Sequence, residues 1–154
     1  MSERNKMRIA ITGHRPGRIA GRENEIQEWI RRQLISNNCT EALSGMATGT
    51  DQIFAKIVED MGIPLICCYP YKRNKFHPVE DDINAKAYDV RFISDEYSRQ
   101  SYWIRDKYMV DNCDILLAVF DGKQEGGTWI TVDYAKKIDK PIVYFPWRTQ
   151  VCLD

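Results

Sequence analysis

At 154 residues the chain has the length of one domain, here taken as residues 1–154, and can bury a core without disulfide staples. Its apolar fraction of 44% and charged fraction of 29% are ordinary for a globular protein. The 22 basic residues balance 22 acidic ones, which argues against nucleic acid as a partner, because a general electrostatic grip needs a basic excess.

Five cysteines, at positions 39, 67, 68, 113 and 152, form no Cys-x-x-Cys pair. Their spacing points to reduced core thiols rather than to disulfides or zinc. His14 and His77 have no metal-ligand partners in spacing, so no metal is expected. Met1 to Met7 lacks the apolar core of a signal peptide, and the apolar runs Ile63–Tyr69 and Ile115–Phe120 are too short to span a bilayer. The expectation is a cytoplasmic protein with no membrane contact.

Along the chain, short apolar runs alternate with amphipathic ones. Met7–Thr12 reads as a strand, and residues 23–37 as a helix carrying Ile26, Trp29, Ile30 and Leu34. Glu41–Ser44 is a short strand, Thr48–Met61 a helix, and Leu65–Tyr69 a strand apolar on both faces, as parallel strands covered on both sides are. A polar stretch, Lys72–His77, precedes a helix at Pro78–Ala87 and a strand at Asp89–Ile93. A helix over Tyr97–Asn112, a strand over Ile115–Phe120, a helix over Thr128–Ile138 and a strand over Pro141–Phe145 complete the pattern. This alternation predicts an α/β fold of three layers, Rossmann-like, with a mainly parallel sheet.

Ligands of such sheets bind beyond the carboxyl ends of the strands, and three strands here end in unusual turns. They are Thr12-Gly13-His14-Arg15-Pro16, Ser44-Gly45-Met46-Ala47-Thr48-Gly49-Thr50-Asp51, and Asp121-Gly122 followed by Gly126-Gly127-Thr128. Glycine lets a backbone approach a ligand, and a helix N-terminus offers free N–H groups to a phosphate. One glycine turn is commonly a plain tight turn; three on one sheet edge point to a ligand. None matches G-x-G-x-x-G or G-x-x-x-x-G-K-[ST], so no standard dinucleotide or triphosphate cofactor is expected.

Ser101, Arg105 and Met109 share a helix face, where an arginine can bind a phosphate bidentately or else make a surface salt bridge. His14 beside Arg15 suits an anion contact, and Asp111 reads as a cap or turn residue. The basic and aromatic cluster Tyr71–Phe76 reads as a solvated loop or lid, with single-stranded nucleic-acid binding ranked below.

Taken in order, the three turns, the helix Arg105-Asp106-Lys107-Tyr108-Met109-Val110-Asp111, and Gly126-Gly127-Thr128 with Thr131, Tyr134 and Ala135 resemble the SLOG superfamily. That superfamily is named for the DNA-processing Smf/DprA proteins and the "lonely guy" enzymes; the nearest branch is the YpsA-like proteins of bacteria and phages. The resemblance implies a nucleotide or nucleotide-derived ligand held by Gly13, His14, Arg15, Ser44, Gly45, Gly49, Asp51, Arg105, Gly126, Gly127, Thr128 and Thr131. In the lonely-guy branch it implies phosphoribohydrolase activity, with an arginine in R-K-x-x-M and a glutamate in PGGxGTxxE as catalytic groups. Arg105 and Met109 match the first motif, with Asp106 in place of lysine, and Thr131 stands where the glutamate belongs. A looser resemblance links the chain to nucleoside deoxyribosyltransferases, whose glutamate nucleophile is also missing. The reading is therefore a sensor-like nucleotide-ligand binder, with an N-glycosidase or deoxyribosyltransferase as the alternative and a single-stranded DNA binder third. Asp51 and Arg105 are the catalytic candidates, Asp51 being the only nearby acid the sequence offers. A homo-oligomer stays open.

Overall fold

A computed structural model describes residues 6–147. In chain order the elements are β1 (Arg8–Gly13), α1 (Pro16–Ile19), α2 (Glu23–Ser36), β2 (Glu41–Ser44), α3 (Thr50–Asp60) and β3 (Leu65–Tyr71). They continue with α4 (Pro78–Lys86), β4 (Asp89–Ser94), α5 (Ser101–Asp111), β5 (Ile115–Val119), α6 (Gly126–Lys137) and β6 (Ile142–Tyr144). All six strands pair in parallel, in the order β4-β3-β2-β1-β5-β6. The chain steps outward from β1 to β4, then returns to lay β5 against β1, from Ile9↔Ile115 to Gly13↔Val119. That reversal opens a crevice beyond the carboxyl ends of β1 and β5.

Side chains alternate across the sheet and make two cores. Ile9, Ile11, Cys67, Leu117 and Val119 pack with Ile26 and Trp29 of α2, Phe54 and Val58 of α3 and Ile83 of α4. Ala10, Leu43, Ile66, Cys68 and Leu116 pack with Met109 and Val110 of α5 and Ala135 of α6. Helices thus cover both faces, which is why β3 and β5 are apolar throughout. Cys39, Cys67, Cys68 and Cys113 are free thiols, and burial raises the pKa of each; Cys152 lies outside the described residues. Among the described residues no helix is long and apolar enough to cross a membrane, and no cluster of acidic, histidine or cysteine side chains could hold a metal.

Some boundaries depart from the periodicity. The helix expected from Tyr97 starts at Ser101, and that expected from Thr128 starts at Gly126. β3 runs on through Pro70 to Tyr71, past the last β2–β3 pair at Ser44↔Cys67. The short α1 was not anticipated; only Ile19 of it is buried, too little to make a pattern.

The first two turns are fastened to one another. Thr50 gives both its N–H (3.2 Å) and its hydroxyl (3.0 Å) to the His14 carbonyl. Gly49 takes φ +96°, where a Cβ would stand 2.7 Å from that same carbonyl oxygen. A Cβ on Gly13 would meet the Thr50 side chain at 2.4 Å. Gly127 has nothing within 4 Å of a Cβ. Gly49→Ala is therefore expected to cost about 2 kcal/mol or more of folding stability, whereas Gly127→Ala should leave the urea midpoint unchanged or raised; equilibrium denaturation of both variants checks the contrast.

Candidate functional site

The crevice holds a cavity of about 360 Å³, lined by Ile11 and Thr12 of β1, Leu116 of β5 and residues of the flanking turns and helices. The β1–α1 turn contributes Gly13, His14, Arg15 and Arg18; the β2–α3 turn Ala47 and Asp51; α5 Tyr102, Arg105 and Asp106; and α6 Gly126, Gly127, Thr128 and Thr131. Ser44, Gly45 and Gly49, expected in the same site, do not line it, although Gly45 borders a neighbouring cavity.

The reason lies in the β2–α3 turn, which satisfies its own polar groups. Ser44 Oγ donates to the Asp51 carbonyl (2.8 Å) and accepts the Met46 N–H (3.2 Å). Asp51, in the first turn of α3, accepts the Ala47 N–H of the preceding turn on Oδ2 (3.2 Å). Gly45 makes room for a protein group: a Cβ there would stand 2.9 Å from Arg105 Nη1 and 3.0 Å from Asp51 Oδ2. The expectation that Gly45 and Gly49 bring backbone close to a ligand is corrected, because each brings it close to another part of the chain.

The third turn is the open one. Glu125, at the N-cap of α6, makes no capping hydrogen bond with its side chain. Thr128 is 7% exposed, yet its hydroxyl has no partner among the described residues and borders the cavity. Arg18, which sequence reasoning passed over, faces this turn, with Nη1 3.7 Å from a Cβ built on Gly126. It is aimed by Asp121, whose carboxylate accepts Nε (3.1 Å) and Nη2 (2.7 and 2.8 Å). Burial works against the Asp121 charge, but the Arg18 hydrogen bond and then the Lys123 N–H hold its pKa below the usual value. His14 Nε2 accepts the Asp121 N–H (3.0 Å), which puts the ring proton on Nδ1. Burial, partly offset by Asp121, lowers the His14 pKa and keeps the ring neutral.

Arg105 is 6% exposed and does not make a surface salt bridge. Its Nη1 donates to the carbonyls of Gly45 (2.6 Å) and Cys68 (3.2 Å), and Nε to Asp106 Oδ1 (2.7 Å). Thr131 Oγ1, which donates to the Gly127 carbonyl (2.9 Å), lies 3.3 Å from Asp106 Oδ2. Asp51 is thus not the only acid at hand: Asp106 places a carboxylate beside Thr131. Burial raises the pKa of Asp106, with Arg105 opposing. Burial also pushes Asp51 up to about 6, against the pull of Arg105 and with the push of Asp106.

Two further expectations resolve structurally. Asp111 closes the end of α5, accepting Lys107 Nζ (2.9 Å) and the Tyr134 hydroxyl (2.5 Å) of α6. In the loop cluster, the Arg73 guanidinium lies over the rings of Tyr69 (5.0 Å) and Phe76 (4.5 Å) and pairs with buried Glu80 (2.5 Å), while Phe76 packs on the core. Only Lys72 and Lys75 of its cations are exposed.

No protein-family model matches the chain, and no curated protein matches it. Solved structures do. The DNA processing protein A (DprA) of Streptococcus pneumoniae superposes with a TM-score of 0.71 at 16% identity, over 90% of this chain and 50% of that one. DprA of Helicobacter pylori, described for its single-stranded DNA binding mode, gives 0.69 at 18% identity, over 97% and 71%. The molybdenum cofactor carrier protein of Chlamydomonas reinhardtii gives 0.65 at 19% identity, over 90% and 76%. The chain shares the Rossmann-like fold of these proteins. It spans half the length of the S. pneumoniae protein.

The raised Asp51 pKa has a defined sign. The native state holds the proton more tightly than the unfolded chain, so the Asp51 contribution to stability falls as pH rises from about 3.8 to about 6. The stability of wild type minus Asp51→Asn is expected to fall by on the order of 2 kcal/mol across that window, as thermal melts of both proteins in a pH series would show.

Proposed function

We propose that the chain binds a nucleotide or nucleotide-derived small molecule, with its phosphate on the N-terminus of α6. The observation that carries this reading is the turn Gly126-Gly127-Thr128, where a helix start without a side-chain cap, the unpartnered Thr128 hydroxyl and the guanidinium of Arg18 border one cavity. Helix N-termini favour anions through free N–H groups and the helix dipole, and arginine adds charge-assisted hydrogen bonds. The cavity of about 360 Å³ lies toward the small end of small-molecule sites and suits a mononucleotide rather than a dinucleotide. Membership of the SLOG superfamily, within its YpsA-like branch, and a cytoplasmic setting belong to the same reading.

A panel of nucleoside monophosphates, diphosphates and nucleotide sugars tests it by thermal shift. A true ligand at a hundredfold excess over its dissociation constant is expected to stabilise the fold by about 2.7 kcal/mol. Thr128→Val and Gly127→Val should remove that gain without moving the unliganded melting temperature. A melting curve unmoved by every member of the panel overturns the reading.

A second reading rests on Asp106, which returns a carboxylate to the wall beside Thr131. Hydrolysis of an N-glycosidic bond passes through an oxocarbenium-like state that a carboxylate stabilises. Here Asp106 is ion-paired to Arg105, which spends its charge on the protein, so binding without turnover ranks first. Release of free base and ribose phosphate from nucleoside monophosphates is expected to stay undetectable by chromatography over hours. Turnover that disappears in Asp106→Asn while binding persists would put the enzyme reading in front.

The expectation that nucleic acid is not a partner gains no support from the comparisons, since one neighbour is described by its single-stranded DNA binding mode. Single-stranded DNA enters as a third reading on that likeness. Against it stand the balanced charge and the engagement of Arg73 by Glu80.

A further inference from the structure

Beyond the ends of β2 and β3 lies a second cavity, of about 190 Å³, adjoining the first: Arg15, Ala47, Tyr102 and Arg105 border both. Both cavities carry arginines and a carboxylate, Arg73 and Glu80 joining Arg15 and Arg105 in the second, but only the second adds Tyr69 and Tyr71; the Tyr71 ring meets that of Tyr102 edge to face with centroids 6.1 Å apart. Tyr102 is 43% exposed, although Ser101 before it and Arg105 one turn on are buried. An aromatic corner thus stands open where the cavities join.

Gln52 supplies a polar group on the same wall. Its Nε2 donates to the Met46 carbonyl (3.1 Å). A carbonyl can only accept, so the amide has one allowed orientation, and Oε1 is the atom left without a partner among the described residues.

We infer that the second cavity receives the planar heteroaromatic ring of the same ligand, its face on the tyrosine corner and an N–H of its edge donated to Gln52 Oε1. The inference rests on the phosphate reading above. A flat ring with a polar rim uses both the aromatic surface and the amide oxygen, whereas an aliphatic group would leave that oxygen unpaired in the complex. The shared border through Arg15 and Arg105 lets one molecule occupy both cavities, its sugar spanning the join.

Titration calorimetry of the full chain with ribose 5-phosphate and with the four common ribonucleoside monophosphates tests this. At least one monophosphate is expected to bind tenfold or more tightly than ribose 5-phosphate, since stacking on an aromatic side chain contributes roughly that much or more. Gln52→Leu and Tyr71→Ala should each erase most of that advantage and leave ribose 5-phosphate affinity within about twofold. Tyr71→Phe, which keeps the ring, should retain it, and Thr128→Val should weaken both kinds of ligand. Equal affinity for ribose 5-phosphate and all four monophosphates overturns the ring site while the phosphate site stands. So does an advantage that survives both Gln52→Leu and Tyr71→Ala. Failure of every probe to bind the wild type removes the phosphate reading and this inference with it.

Discussion

A buried guanidinium must have its hydrogen bonds met from close by, because an unsatisfied charge away from water costs several kcal/mol. Arg105 meets this demand by reaching across the sheet end to the carbonyls of Gly45 and Cys68 and sideways to Asp106. Those bonds join the carboxyl ends of β2 and β3 to α5, and they settle where the cleft divides. Arg105 borders both the larger cavity over α6 and the smaller one that Tyr71 lines. The absence of a side chain at Gly45 is part of the same arrangement, since a Cβ there would collide with Arg105.

The layer architecture was legible because its cause is local. Strands covered on both faces must be apolar at every position, so Leu65–Tyr69 and Ile115–Val119 stood out, and α2 showed its buried stripe. Strand order was not legible, because the return of β5 to β1 depends on crossovers that leave no local pattern. α1 was missed because four residues with one buried side chain make no periodicity.

The site was legible in outline only. Three glycine turns could be read from the residues, but what each glycine faces could not. Gly13 and Gly49 face protein, while Gly127 faces open space, and nothing in the local composition separates them. Arg18 escaped notice because the residue that aims it, Asp121, is 103 positions away. Asp106 escaped because adjacent residues on a helix point in different directions, so an Arg-Asp dipeptide gives no sign of an ion pair. The one available signal was the simultaneous departure, at 106 and 131, from the motifs the chain resembles; the structure places the two side-chain oxygens 3.3 Å apart.

Asp51 and Asp106 set two carboxylates beside Arg105, in a wall that also carries Arg15 and Arg18. Each further negative charge brought there raises the proton affinity of the nearest acid. Under the proposed phosphate binding, occupancy of the cleft would be linked to proton uptake, most readily onto Asp51. On that reading the affinity of the cleft would depend on the acidity of its surroundings without any histidine having to change charge.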